Sequence, residues 1–131
     1  MQDFRKITAW QKAHQLALRV YAITSRFPAG ERFGLSSQMR RAAVSIAANI
    51  VEGRSRGGDK EYRYFSKVAL GSAGKLEYYV LLASDLSLLE DSDRESLSHQ
   101  IVEIKRMLAG LIRTLSSQNH VDKSAVKCPH E

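Results

Sequence analysis

Cysteine, proline and long apolar runs are all scarce in this sequence of 131 residues. Its one cysteine, Cys128, excludes a disulfide within the chain. Its two prolines, Pro28 and Pro129, leave about 100 intervening residues in which long helices meet no proline. No stretch approaches the ~20 apolar residues that span a membrane, and residues 1–6 contain no apolar core of a signal peptide. We therefore expect a cytoplasmic protein with no membrane partner.

Residues that support catalysis or metal binding are few and scattered. His14, His99 and His120 lie far apart in the sequence, without further ligands at the spacings that zinc sites use. Cys128 and His130 supply only two ligands near the C-terminal end. No nucleotide-binding glycine loop and no nucleophile elbow is present. The sequence thus predicts a protein that is not an enzyme, with no catalytic residue, no metal and no cofactor.

Charge is distributed unevenly along the chain, whose net charge is +6. Between residues 32 and 75, nine basic residues stand against three acids, Glu52, Asp59 and Glu61. Between residues 76 and 103 the balance reverses, with seven acids against Arg94 alone. This polarity predicts a localised basic surface instead of a uniform coat of positive charge.

Apolar residues recur at spacings of three and four along most of the chain, which indicates amphipathic helices. The pattern predicts four helices, over about residues 8–27, 36–56, 60–90 and 93–116. Because the connections are short, consecutive helices are expected to be antiparallel. The predicted fold is therefore all-α, an up-down-up-down four-helix bundle over residues 1–117. Residues 118–131, where the periodicity fades, are predicted to form a disordered tail.

Short polar and small residues mark helix ends and close contacts. Thr8 followed by Gln11 predicts a capping box at the start of the first helix. Gly57-Gly58 predicts a left-handed end to the second helix. Gly71 and Gly74 are expected where another helix crosses the third one closely, because no glycine-rich loop precedes a helix there.

The second helix combines an apolar face with polar residues that need partners wherever they are buried. Asn49 lies beside that face, where a buried asparagine typically fixes the register or oligomeric state of a bundle. Arg40 and Arg41 are expected to pair with carboxylates of the acidic segment. Glu52 is expected to accept a hydrogen bond from Asn49 or from an arginine of a neighbouring chain. All four are therefore predicted to be structural or interface residues.

The third helix is apolar around much of its circumference. Its predicted seam runs through Tyr62, Phe65, Ala69, Ser72, Leu76, Tyr79, Ala83 and Leu86. Leu70 and Leu81 lie on one flank of this seam, and Tyr64 and Leu82 lie on another. A helix of a monomeric bundle buries only one face, so apolar flanks predict contact with other chains. We expect a homo-oligomer whose interfaces include these four flanking residues.

The second helix also carries a family signature. Its matching residues are Gln38, Arg40, Arg41, Ala42, Ala43, Ser45, Ile46, Asn49, Ile50, Glu52 and Gly53. Together with Trp10, Phe27-Pro28 and Gly71-Ser72, they make the chain resemble a family of four-helix-bundle proteins. Members of that family are encoded in intervening sequences of bacterial 23S ribosomal RNA genes, and a relative is the accessory variability determinant of diversity-generating retroelements. The resemblance covers about residues 4–115 and implies a pentameric assembly, whereas no reaction is established for the family.

Two positions depart from the family pattern. Val51 stands where an alanine usually precedes Glu-Gly, which is a mild change. Lys75 stands where relatives often carry glutamate after Gly-Ser. The second departure removes an acid from the third helix and adds to the basic surface, so it places any ion pair made there between chains in doubt.

The predicted topology gathers basic residues at one pole, formed by the first helix start, the turn between helices two and three, and the fourth helix end. The candidate nucleic-acid-binding residues at this basic pole are Lys12, Arg54, Arg56, Lys60, Arg63, Lys67 and Arg113. Cations that neutralise phosphates give binding that weakens with salt. Because the resemblance is to a family associated with ribosomal RNA genes, we expect structured RNA in preference to DNA.

A second function fits the same residues. A ring of helical bundles can recruit a protein partner, with its charges serving only to orient docking. This alternative is a protein-interaction scaffold that binds no nucleic acid. Replacing the basic residues discriminates the two, because only the first requires them for affinity toward RNA.

Overall fold

The structure, a computed structural model, describes residues 3–31 and 33–127, with side chains as far as residue 116. Within these residues it contains four α-helices, two short 3-10 helices and no strand. The α-helices are α1 (Thr8–Thr24), α2 (Leu35–Ser55), α3 (Asp59–Asp85) and α4 (Asp91–Lys127). The 3-10 helices, Phe4–Lys6 and Ala29–Glu31, lie on either side of α1. The all-α fold class is therefore confirmed. None of the described helices is long and apolar enough to cross a membrane.

The four α-helices share one core. Its largest fully buried apolar side chains are Leu16, Val20, Met39, Ile46, Ile50, Leu76, Val80, Leu97, Ile101, Ile104 and Leu108. Contacts join α2 to α1 and α3, and they join α4 to the same two helices. The apolar faces predicted for α2 and α4 are confirmed, since their three-and-four spacing places these residues inward. Burial of this kind is the main source of the fold's stability.

Helix α3 is rotated slightly from its predicted seam. Its buried residues are Tyr62, Ser66, Ala69, Ala73, Leu76, Val80 and Ala83. Phe65, Ser72 and Tyr79 are only half-buried, and Leu86 is exposed. The structure buries small residues at the intervening positions because they let α3 lie close to its neighbours. The larger rings then cover the edges of the contact.

The first helix begins without the predicted capping box. Ile7 is its N-cap residue, and no side chain caps it. The Gln11 side chain instead donates a hydrogen bond from Nε2 to the Arg5 carbonyl at 2.8 Å. This correction follows from the preceding 3-10 helix, Phe4–Lys6, which places that carbonyl beside the helix start. The second helix does end as predicted, at Gly57 with a left-handed φ of 88°.

The third helix ends before the predicted residue 90, because Ser87 adopts a left-handed φ of 61°. The Leu88 amide donates to the Ala83 carbonyl at 2.9 Å, and the Ser87 amide donates to the Ser84 carbonyl at 3.0 Å. These two bonds form a Schellman motif, which satisfies carbonyls that the helix itself leaves unpaired. The α3–α4 connection is thus a defined cap and not a continuation of the helix.

Substituting Ser87→Gly is expected to stabilise the fold by about 0.5–1 kcal/mol. Glycine adopts the left-handed conformation without the steric cost of a Cβ, although it also gains entropy in the unfolded chain. Urea unfolding followed by circular dichroism measures the effect. Ser84→Gly, inside the last turn of the same helix, should destabilise it instead; equal effects at both positions would contradict the cap.

The fourth helix extends beyond its predicted end at residue 116 and continues to Lys127. The apolar periodicity fades after Ser116, but no glycine or proline occurs between residues 117 and 127. The backbone hydrogen-bond ladder therefore meets no breaker before Pro129. Residues 128–131 of the predicted tail lie outside the described residues.

The closest described approach of backbone to side chain at a glycine occurs between α2 and α3, at Gly53. A Cβ added to Gly53 would lie 2.9 Å from Phe65 Cβ and 3.2 Å from Tyr62 Cα. By contrast, a Cβ added to Gly71 or Gly74 would meet no atom of this chain within 4 Å. Within one chain, the predicted close-packing role of Gly71 and Gly74 is therefore wrong, and Gly53 fills that role.

Candidate nucleic-acid interface

The α2–α3 turn brings together basic residues from two helices. The Gly53 contact holds the end of α2 against the first turns of α3, and Gly57 reverses the chain. Five of the predicted basic-pole residues lie in this region, Arg54, Arg56, Lys60, Arg63 and Lys67. We call these five the α2–α3 basic cluster. A short reversal between two helices thus concentrates positive charge at one end of both.

Aromatic rings of α3 support the two arginines at the end of α2. The Arg54 guanidinium lies 5.6 Å from the ring centroid of Tyr62, and that of Arg56 lies 5.2 Å from Phe65. Both distances are within the range of cation–π attraction. Burial raises the pKa of Tyr62, and the charge of Arg54 opposes that shift. The rings therefore hold the arginines over α3 while leaving them charged.

Only one ion pair within the described residues neutralises a member of the cluster. Arg56 Nε donates to Glu52 Oε2 at 2.7 Å, and this hydrogen bond raises the pKa of Arg56. Glu52 was expected to accept from Asn49 or a neighbouring chain; it accepts from Arg56 of its own helix because the two are four residues apart.

The three cations on α3 follow one side of the helix. Lys60, Arg63 and Lys67 are spaced by three and four residues, and the two lysines are exposed. None of the three forms a salt bridge with a carboxylate of the described residues. The Nε atoms of Arg54 and Arg63 are shielded from solvent and find no acceptor within the described part of the chain. These groups remain available to an anionic ligand.

Two predicted basic-pole residues lie apart from the cluster. Lys12 of α1 forms a salt bridge with Glu103 of α4, with 3.6 Å between Nζ and Oε1. Arg113 is exposed on α4, and no described contact links it to the cluster. Pairing with Glu103 reduces the positive field that Lys12 offers to a phosphate. The structure therefore supports five of the seven residues as one surface.

Arg40 has a different partner from the one expected. Its Nε donates to Thr24 Oγ1 at 2.8 Å, and its Nη2 donates to the Tyr21 carbonyl at 3.4 Å. The guanidinium also lies 4.7 Å from the Tyr21 ring centroid. No described carboxylate pairs with Arg40, which corrects the prediction. The cation instead binds the C-terminal end of α1, where the helix dipole favours positive charge.

The acidic segment pairs with arginines that the sequence interpretation missed. Asp93 accepts from Arg19 at 3.5 Å and from Arg26 at 3.2 Å. Arg19 and Arg26 are seven residues apart, so the regular helical spacing places them on neighbouring turns of one side. That spacing was a usable signal. Arg41, the other arginine expected here, is exposed and has no ion pair with the described residues.

Asn49 belongs to a polar chain that crosses from α2 to α3. Its Nδ2 donates to the Ser45 carbonyl at 2.8 Å and to Ser45 Oγ at 3.0 Å. Ser45 Oγ in turn lies 2.8 Å from Ser72 Oγ of α3. Such a link is satisfied only in one alignment of the two helices, so it supports a role in register. The serines were not identified as partners from the sequence.

The predicted interface residues of α3 differ in exposure. Tyr64 is 59% exposed and Leu81 is 55% exposed, whereas Leu70 and Leu82 are partly buried against the chain's own core. Val68 and Tyr78 add to the exposed apolar residues on this helix. The outer side of α3 therefore presents apolar surface, with Leu70 and Leu82 at its edge.

The described residues offer no group of three or more His, Cys, Asp or Glu side chains that could hold a metal ion. His14 stacks on Trp10, with ring centroids 4.9 Å apart. Cys128 and His130, the only other candidate pair, lie outside the described residues. The chemistry open to the charged surfaces of the described chain is thus ionic and hydrogen-bonded recognition.

Comparisons with known proteins agree on the fold. A solved structure from Bacteroides thetaiotaomicron, of a protein with unknown function from the S23 ribosomal protein family, is 24% identical to this chain. It superposes with a TM-score of 0.72, covering 80% of this chain and 98% of that one. Comparison with the curated proteins gives no match. The model of the 23S rRNA-intervening sequence protein family matches residues 5–110, and the chain therefore belongs to that family.

Proposed function

We propose that this protein binds structured nucleic acid, RNA in preference to DNA, through the α2–α3 basic cluster. The observation that carries the proposal is that Lys60, Arg63 and Lys67 lie along one side of α3 without a carboxylate partner among the described residues. Unpaired cations at regular spacing suit the repeated phosphates of a nucleic-acid backbone. Membership of a family named for ribosomal RNA genes makes RNA the favoured ligand. No reaction is part of the proposal.

We further propose an assembly of several antiparallel bundles in the cytoplasm. On α2 and α3, contacts pair Gly53 with Tyr62, Ser45 with Ser72, and Gln38 with Tyr79. Rising numbers on one helix meet falling numbers on the other, which supports an up-down-up-down topology. The exposed apolar side of α3 supports self-association, for which the resemblance implies a pentamer. A relation to the accessory variability determinant would extend the same architecture to a reverse-transcriptase accessory factor.

A double substitution tests the interface. Replacing Lys60 and Lys67 by glutamine is expected to weaken binding to a labelled RNA hairpin by about tenfold at 0.1 M salt. The slope of log affinity against log salt should become shallower by about 1.5–2, because about 0.7–0.9 counterions are released per phosphate contact. Fluorescence anisotropy across a salt series measures both quantities. The lysines are exposed, so folding should be unaffected.

The matched control replaces Arg94 and Arg106 by glutamine, which removes the same charge from α4. This variant should lose little affinity, because a uniform loss of two charges changes only the long-range field. If the control and the Lys60/Lys67 variant behave alike, the cluster is not the interface. A DNA hairpin of the same sequence, tested alongside, should bind more weakly than the RNA.

The alternative function, a protein-interaction scaffold, is favoured by a different observation. Tyr64, Tyr78 and Leu81 expose apolar surface on α3 that the single chain leaves uncovered. Such a surface can bind a protein partner without any nucleic acid. This reading is preferred if RNA fails to bind even at low salt while the protein remains folded.

A further inference from the structure

A second basic surface lies away from the cluster, in a cleft between α2 and α3. The cleft has a volume of about 290 Å³. Its lining residues are Gln38, Arg41, Ala42, Ser45, Ser72 and Lys75. No carboxylate is among them, although the described chain carries carboxylates on every α-helix except α1. The cleft is therefore polar and has the positive sign of charge only.

Two cations face this cleft from opposite helices. Arg41 belongs to α2 and Lys75 to α3, and both are exposed. Neither has a hydrogen-bond or ion-pair partner in the described part of the chain. Like charges around one concavity repel each other, and an anion bound between them relieves that repulsion. The arrangement thus favours a negatively charged ligand.

The two serines contribute a hydrogen-bond donor. Ser45 Oγ already accepts from Asn49 Nδ2, and it shares one hydrogen bond with Ser72 Oγ. Each hydroxyl carries one proton, so a single bond between them uses one proton and leaves the other. Whichever serine donates, one hydroxyl proton of the pair meets no acceptor among the described side chains. The cleft therefore holds an uncommitted O–H between its two cations.

We propose that this cleft binds a phosphate group. A guanidinium, an ammonium, an uncommitted hydroxyl and the Gln38 amide supply donors from both helices. A planar carboxylate is satisfied by one arginine fork, whereas the oxygens of a tetrahedral phosphate accept from several directions at once. Donors on two facing walls therefore fit phosphate better. The α2–α3 polar chain, anchored by Asn49, holds the serines in place before the ligand arrives.

This site is independent of the proposed function, because it uses none of the residues of the α2–α3 basic cluster. A phosphate here is either a free ion or a monoester on a larger molecule. Both present the same terminal oxygens, and the source is distinguished by comparing inorganic phosphate with adenosine 5′-monophosphate. Adenosine without phosphate serves as the control for base binding.

The experiment is isothermal titration calorimetry of the full chain with inorganic phosphate, in chloride buffer at constant ionic strength. One phosphate is expected per chain, and Arg41→Gln and Lys75→Gln are each expected to weaken its binding at least tenfold. Ser72→Ala should weaken it by a smaller factor. Arg106→Gln, which removes an exposed charge from α4, and the Lys60/Lys67 variant should leave it unchanged. Circular dichroism checks that each variant is folded.

Three results would overturn the proposal. The first is absence of saturable phosphate binding to the unmodified protein, and the second is binding that survives the Arg41/Lys75 double substitution. The third is acetate binding as tightly as phosphate, which would assign the cleft to carboxylates. Adenosine should not bind. Tighter binding of the nucleotide than of inorganic phosphate would support a monoester ligand, and equal binding would support the free ion.

Discussion

Replacing Gly53 with leucine is expected to destabilise the fold by about 3 kcal/mol or more, and Gly53→Ala by about 1–2 kcal/mol. The added Cβ would lie 2.9 Å from Phe65 Cβ and 3.2 Å from Tyr62 Cα. Both atoms are fixed to the α3 backbone, so the helix itself must move. Alanine recovers up to about 1 kcal/mol through its better helix propensity, which only partly offsets the overpacking. A longer side chain has no such compensation.

Urea unfolding at a fixed protein concentration measures this effect, since self-association makes stability depend on concentration. Gly110→Ala is the matched control, because it is also inside a helix. A Cβ there would meet only the flexible end of Arg113, at 3.8 Å. The control should be stabilised by about 0.5–1 kcal/mol. Equal stabilisation of Gly53→Ala would show that α2 and α3 do not approach each other closely at this point.

The fold was largely predictable because helical periodicity is long and uninterrupted in this chain. On α4, Leu97, Ile101, Ile104 and Leu108 alternate by four and three, and all are buried. On α3 the same rule chose the wrong alternate positions. Ser66 is fully buried although hydropathy ranks it below Phe65. Apolar patterns identify a helix face, but the space between helices decides which size of side chain lies inside it.

The ends of the helices were less predictable, because they depend on geometry that several residue types can satisfy. Gly57 was recognised since glycine adopts a positive φ at low cost. Ser87 was not recognised, because serine rarely takes that conformation. Likewise Thr8 and Gln11 have the residue types of a capping box, yet Gln11 binds the Arg5 carbonyl instead. A short sequence motif states an option, and the neighbouring chain decides whether it is used.

The candidate surfaces were predictable where charge is local in the sequence. The α2–α3 basic cluster lies within residues 54–67, so a single turn assembles it whatever the rest of the fold does. Partners distant in sequence were not accessible in this way. Arg40 was assigned to carboxylates but binds Thr24, and the Ser45–Ser72 link was missed. A hydroxyl or a carbonyl satisfies an arginine as a carboxylate does, and composition alone does not rank them.

Substituting Leu81→Glu is expected to weaken self-association by at least about 1,000-fold, so that the protein is a monomer of 14.7 kDa at micromolar concentration. This prediction depends on the proposed oligomer. Burying a carboxylate in an apolar interface costs several kcal/mol, and about 4 kcal/mol corresponds to that factor. Because Leu81 is 55% exposed in the single chain, the substitution should change the fold's own stability by only about 0.5 kcal/mol. Multi-angle light scattering measures the mass.

Leu18→Glu is the matched control, since Leu18 is 59% exposed but lies on α1. It should leave the oligomer intact; dissociation by Leu18→Glu with Leu81→Glu still associated would move the interface to α1. An unmodified protein that already scatters as a monomer would contradict self-association itself. Gly71→Leu then separates shape from charge on the same side of α3. Its side chain meets no atom of its own chain within 4 Å at the Cβ, so it should fold. If the copies approach closely at this glycine, added apolar volume should separate them, whereas an interface held only by apolar area should become tighter.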